Sequence, residues 1–229
     1  MDARTLCPGR PLVVELVGPA GVGKTSLARY LGALGGGMRP GVSVWGLPLL
    51  LLAPTAVRLV PTLLGLPRGV RWTARKQLIR LETLGRWVER EAARAADEVI
   101  LLVEGPVFAL SWLRVFDHEA TGGIPFARWR RTALTRWASL LDVVVLLDAP
   151  DPLLAARIRS RDQPHMVKEG DDRTIADFAA QFRAAFRRVI GDLTAGRGPR
   201  VITLATADDP VVELAHKITA ACAEARRSC

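Results

Sequence analysis

The segment Gly18–Thr25, GPAGVGKT, matches Gly-x-x-x-x-Gly-Lys-Thr at every fixed position. Apolar β-forming residues (Leu12, Val13, Val14, Leu16, Val17) precede it and helix formers follow, so a strand must end where a helix begins, with this loop between them. Glycines at 18, 21 and 23 let the chain take positive φ and wrap successive backbone N–H groups around an anion. The helix beyond points its unpaired N–H groups and positive dipole end at the same anion. Lys24 adds a point charge for β- and γ-phosphates, and Thr25 or Ser26 supplies a hydroxyl, with Thr25 the Mg²⁺ ligand by the logic of the motif. Gly18, Ala20, Gly21, Val22, Gly23, Lys24, Thr25 and Ser26 are the candidate phosphate-binding residues.

Beyond the loop, Thr25–Leu34 reads as a helix ended by Gly35-Gly36-Gly37, and Val42–Trp45 as a short strand. Residues 47–66 are strongly apolar but interrupted by Pro48, Pro54, Arg58 and Pro61, which leaves no clean span of about 18 apolar residues and points to a buried or lid-like helical pair. Leu78, Leu81, Leu84, Val88 and Ala92 recur at helical spacing, predicting a long amphipathic helix over 73–96. EVILLV at 98–103 and DVVVLL at 142–147 read as buried strands, with helices over 107–115 and 125–141 between them. A short helix from Asp151 or Pro152 to Arg161, a polar turn-rich lid at 163–173, and an amphipathic helix over 174–193 follow. A fifth strand at 200–204 and a last helix to about 225 complete the chain. Strands that alternate with helices and are apolar throughout imply a parallel sheet covered on both faces.

A chain of 229 residues suits one such domain. The net charge of +9 would suit nucleic acid or anionic small substrates, but the excess is nearly all arginine spread along helices, which makes it weak evidence for a nucleic-acid partner. Cys7, Cys222 and Cys229 are scattered and show no metal spacing. Together with an N-terminus that shows no signal pattern, they imply a reducing, cytoplasmic setting.

In parallel α/β sheets ligands gather at the carboxyl ends of strands. Glu104 ends the third strand and Asp148 the fourth, with Arg157, Arg159 and Arg161 soon after. Glu104 can be a general base toward an acceptor hydroxyl, a Mg²⁺ partner, or a cap on the helix that follows. Asp148 either holds Mg²⁺ through water or caps the helix at 151. Arg157 and Arg161, four apart, reach one side of a helix and could close on a transferring phosphoryl group, whereas Arg159 points elsewhere. His165 and Lys168 offer lid contacts, and Asp117 and His118 are weaker acceptor-binding candidates. Trp112, Trp129 and Trp137 could stack an acceptor or pack in the core.

With these residues in place, the chain resembles the P-loop nucleoside and nucleotide kinases, the thymidylate kinase and deoxynucleoside kinase group. The resemblance rests on GPAGVGKT, on LLVEGP, on VVVLLDAPDPLLAARIRSRDQ and on VITLATADDPVVELAHKI, in order along the chain. It implies a three-layer α/β sandwich with a five-stranded parallel sheet in the order 2-3-1-4-5, one domain over 1–229, a helical acceptor-binding lobe about 46–96 and a lid about 157–173. It also implies ATP and Mg²⁺, residues 205–209 against the base of ATP, and phosphoryl transfer to a nucleoside or nucleoside monophosphate. Two features depart from the family: no carboxylate follows the second strand, and Glu104 is followed by Gly105 instead of Arg.

Other readings stay open. They are a kinase of a hydroxylated metabolite or antibiotic, a P-loop ATPase, a regulatory nucleotide-binding protein, and an enzyme of nucleic-acid ends. A guanine-reading switch needs Asn-Lys-x-Asp, and the chain contains no Asn. The 47–66 stretch or the 73–96 helix could form a homodimer contact.

Overall fold

Each strand returns to the sheet through helix, which forces neighbouring strands to run parallel. A computed structural model describes residues 10–227 except 36, 45, 48, 67–69, 93–97, 117–122 and 163, with backbone only at 39–41, 49 and 50. Its order is β1 (Leu12–Val17), α1 (Lys24–Ala33), β2 (Met38–Val42), α2 (Leu49–Leu64), α3 (Trp72–Ala92), β3 (Val99–Val103) and α4 (Pro106–Phe116). There follow α5 (Ile124–Leu140), β4 (Val143–Asp148), α6 (Asp151–Arg159), α7 (Asp172–Thr194), β5 (Arg200–Ala205) and α8 (Val211–Arg227). The sheet has the order β2-β3-β1-β4-β5, all pairings parallel, as the resemblance implied. Cys7, Trp45, Asp117, His118 and Cys229 lie outside the described residues.

Side chains of period two divide between two cores. Leu12, Val14 and Leu16 of β1, with Val143, Val145 and Leu147 of β4, face α1 and α8. Val13, Val17, Ile100, Leu102 and Val144 face a larger core built with α3, α4, α5 and α7. Trp129 and Trp137 belong to that second core, which takes up the packing alternative for both.

Two expectations are corrected. Residues 49–64 form one helix through Pro54 and Pro61, not a broken pair. A proline removes a single N–H. Here the neighbouring turns hold: the Thr55 hydroxyl donates to the Leu51 carbonyl at 3.4 Å, and Gly65 N–H to Pro61 at 3.1 Å. Nor is every strand buried on both faces, because β5 is the sheet edge and its residues are exposed or half-buried along their length.

Register brings the site together. Leu16 pairs with Val103 and Val17 with Leu146, so the ends of β1, β3 and β4 lie side by side. The phosphate loop and Glu104 leave the sheet at one edge.

Candidate active site

Each loop glycine has its own reason. A Cβ at Gly18 would strike the Leu147 carbonyl, and one at Gly21, where φ is 83°, would stand 2.9 Å from the Leu154 carbonyl oxygen. Gly23 differs. It caps α1 with φ 98°, and no protein atom lies within 4 Å of where its Cβ would be. That space is open, and the helix N-terminus beside it offers N–H groups of the kind that bind phosphate.

The Lys24 ammonium donates to the Gly18 carbonyl at 2.7 Å and the Pro19 carbonyl at 3.0 Å. Burial pushes its pKa down to about 8, with Arg161 adding to the fall and the Glu104 carboxylate opposing it. Anionic phosphates would restore its charge.

Glu104 sits at the strand-to-helix corner with φ 65°, the one non-glycine residue at positive φ among those described. Such a conformation costs on the order of 1–3 kcal/mol and persists only where the surroundings impose it. Two hydrogen bonds do so. The Ser43 hydroxyl donates to Glu104 Oε2 at 3.1 Å, and Val44 N–H donates to the Glu104 carbonyl at 3.3 Å. The helix just beyond is fixed by Glu15.

Glu15 is the residue that apolar patterning passes over. It lies in the middle of β1, wholly buried, on the face shared with Val13 and Val17. Val107 N–H donates to its Oε2 at 2.9 Å and Phe108 N–H to its Oε1 at 3.0 Å, so its carboxyl caps α4 from across the sheet. Gly105 must be glycine beside it, since a Cβ there would meet Glu15 Cδ at 2.9 Å and Leu102 Cβ at 3.1 Å. Burial pushes the Glu15 pKa up to about 8, against the pull of the Val107, Phe108 and Gly105 N–H groups. The signal was a carboxylate inside an apolar strand, which is costly without partners. The cap on α4 read for Glu104 is thus made by Glu15.

One cavity of ≈ 180 Å³ is walled by Gly18, Ala20, Lys24 and Thr25 together with Glu104, Arg161 and His165. Its far side is apolar: Phe108, Trp112 and Phe116 from α4, and Phe178 and Phe182 from α7. Among the described residues, no part of 46–96 lines it. The lobe instead borders a separate groove with Arg58, Leu59, Glu82 and Arg86 against Pro125 and Trp129.

A second groove runs along the other side of the loop, bounded by Gly21, Gly23, Ser26, Arg157, Arg161 and residues 206–211. Arg157 donates to the Thr206 hydroxyl and carbonyl, both at 3.2 Å. Arg161 alone of the two arginines reaches both spaces, because α6 stops at Arg159 and the helical spacing does not extend to it. Arg159 turns away, to Asp172 at 2.6 Å and the Gly170 carbonyl at 3.1 Å.

Asp148 stands apart from both spaces. Arg183 Nε donates to its two oxygens at 2.9 and 3.2 Å, and the same guanidinium bonds Asp151 at 2.6 Å and the Ala149 carbonyl at 2.8 Å. Sequence reading did not single out Arg183.

The segment 164–171, where a lid was expected, is tied down by its own contacts. Lys168 donates to the Arg161 carbonyl, and Gly170 N–H to Val167. Val167 joins Ala20 of the loop in a small apolar cluster with Ile158 and Ile175. His165 meets Phe178 edge-on at 5.6 Å, and burial, then Arg161 and Lys24, hold its pKa below the usual imidazole value. No described helix is long and apolar enough to cross a membrane.

No protein-family model matches the chain, and no curated protein matches it in sequence. Solved structures do match. Deoxyadenosine kinase from M. mycoides, with products dCMP and a flexible dCDP bound, superposes with a TM-score of 0.56 at 11% identity, over 93% of this chain and all of that one. The tunicamycin resistance protein of Deinococcus radiodurans is 18% identical over 92% of this chain and 95% of that one, with a TM-score of 0.49. Shikimate kinase from Bacteroides thetaiotaomicron is 13% identical over 90% and 96%, also at 0.49. The likeness to the first is one of fold: the chain shares that protein's parallel α/β architecture.

Proposed function

We propose that the protein is a small-molecule phosphotransferase that moves the γ-phosphoryl group of ATP to an acceptor hydroxyl. One observation carries this reading: a single cavity is walled both by Lys24 and Thr25 of the phosphate cradle and by the carboxylate of Glu104. ATP's phosphates fit the open space at Gly23, and its base fits the groove of Arg157 and residues 206–211. Thr25 would hold Mg²⁺, a hard oxygen-seeking cation that shares charge with donor phosphates, which leaves Glu104 to the acceptor. Asp148, engaged by Arg183, is the weaker metal candidate.

Phosphoryl transfer needs positioning and charge neutralisation above all. Lys24 balances the β- and γ-phosphates, and Arg161, which borders both spaces, adds charge where they meet. Glu104 accepts the proton of the attacking hydroxyl. A phosphate acceptor is already ionised and would leave the strained Glu104 without that task, which favours an alcohol over a nucleoside monophosphate.

The test pairs two variants in an acceptor-dependent ATP-consumption assay. Lys24→Ala should abolish transfer. Glu104→Gln keeps the shape but removes the base, and should lower kcat by about 10²–10⁴-fold. An unchanged kcat would make Glu104 structural and sink the proton-transfer step.

A further inference from the structure

The cavity at the phosphate loop has two parts of opposite chemistry. Lys24, Thr25, Glu104 and Arg161 make one part polar, aromatic rings line the other, and His165 lies edge-on against Phe178 of those rings. Four of the chain's six phenylalanines line this one space, in a chain only 6% aromatic, so the concentration is a matter of placement. Phe108, Trp112 and Phe116 follow each other at four-residue spacing on α4, as Phe178 and Phe182 do on α7, and the two rows interlock. Trp112 and Phe116 have ring centroids 5.0 Å apart, Phe116 and Phe182 5.8 Å, and Phe178 and Phe182 5.0 Å. Behind them Phe182 rests on the fully buried Phe186 at 5.5 Å. Rings braced in this way form a wall that exists before any ligand arrives. The front row, Phe108, Trp112, Phe116 and Phe178, is only partly buried, so a ligand can cover it further.

Resting on the donor and base roles proposed for Lys24 and Glu104, we infer that the acceptor is a neutral alcohol whose body is a single flat, largely apolar ring, held by the α4–α7 aromatic wall with its hydroxyl at Glu104. The size limits the acceptor: the whole space, its Lys24 part included, is ≈ 180 Å³ against the roughly 150 Å³ of an apolar cavity that takes benzene, which suits one ring and not two. Aromatic faces and edges favour a flat ring in offset or edge-on contact. A nucleobase is a worse match, because its N–H and carbonyl groups would lose water against phenylalanine, which offers no hydrogen bond in return. A nucleoside monophosphate would set its negative charge beside the Glu104 carboxylate. In the reaction the acceptor oxygen bonds to the γ-phosphorus as the bond to the β,γ-bridging oxygen breaks. That electron pair leaves with ADP, and the hydroxyl proton passes to the Glu104 carboxylate.

The experiment measures ATP consumption by the full chain with 2-phenylethanol, thymidine, thymidine monophosphate and inositol, beside calorimetric titration of Mg-ATP into wild type and Lys24→Ala. The ring alcohol should exceed each other acceptor in kcat/KM by about tenfold or more. Trp112→Leu should raise its KM by about tenfold while kcat stays within about threefold. Phe178→Leu, on the opposite helix, repeats the measurement where Trp112→Leu disturbs folding. Better turnover of thymidine, its monophosphate or inositol overturns the acceptor assignment, as does stimulation by none of the four. Mg-ATP binding that Lys24→Ala abolishes keeps the donor reading standing in those cases, and absence of binding to wild type overturns both.

Discussion

Glu15 places an ionisable group in the middle of a buried strand, where its protonation state enters the stability of the whole chain. Its folded pKa is raised to about 8 from an ordinary 4.5, so the folded state holds the proton more tightly than the unfolded one. The stabilisation is therefore complete below about pH 4.5 and is lost as pH rises toward about 8. Glu15→Gln has no proton to lose. It should cost stability at low pH, by on the order of 1–3 kcal/mol, because its amide nitrogen cannot accept one of the two α4 N–H bonds. The gap from wild type should narrow as pH is raised. Urea denaturation at several pH values checks this, and parallel curves would show that Glu15 does not titrate in this range. The same residue shows the limit of reading by pattern. Gly18–Thr25 was legible because each position has a local reason, whereas the partners of Glu15 lie some ninety residues away. Arg183 escaped for the same cause, its carboxylate neighbours being 35 and 32 positions distant.

At the level of elements, periodicity located α3, α4, α5 and α7 because each shows a core-facing stripe. It misjudged α2, where proline was read as a break although the neighbouring carbonyls keep their donors, and it carried α6 two residues too far. Trp112 of α4 and the amphipathic pattern of α7 were visible in the sequence, but only the packing of the two helices shows that one side of the seam is open to a cavity. That seam gives a graded expectation. Phe186 is fully buried behind it, so Phe186→Ala should cost about 3–5 kcal/mol by the loss of its contacts and the void left behind. Phe178, at the edge of the cavity, should cost clearly less when replaced by alanine. Thermal or urea unfolding of the two variants checks the order, and equal losses would mean that the cavity wall is as tightly packed as the core.

Across the whole molecule the strand order does the organising. Because β1 lies between β3 and β4, the phosphate cradle, the Glu104 corner and the start of α6 converge without any long loop. The meeting of the phosphate loop and Glu104 was foreseen from the rule that ligands gather at the carboxyl ends of parallel strands, although Asp148, expected with them, stands apart with Arg183. The use of α4 and α7 as a cavity wall was not foreseen, since it depends on contacts between helices more than sixty residues apart. The left-handed corner at Glu104 also has a consequence for the chain's history under selection. Glycine adopts φ 65° without the steric penalty of a side chain. Glu104→Gly should therefore resist heat better than Glu104→Ala by about 1 kcal/mol while both lose turnover. A population screened only for survival at high temperature would drift toward glycine there and shed catalysis on the way. Melting curves of the pair decide the matter, and equal midpoints would mean that the corner stores no strain.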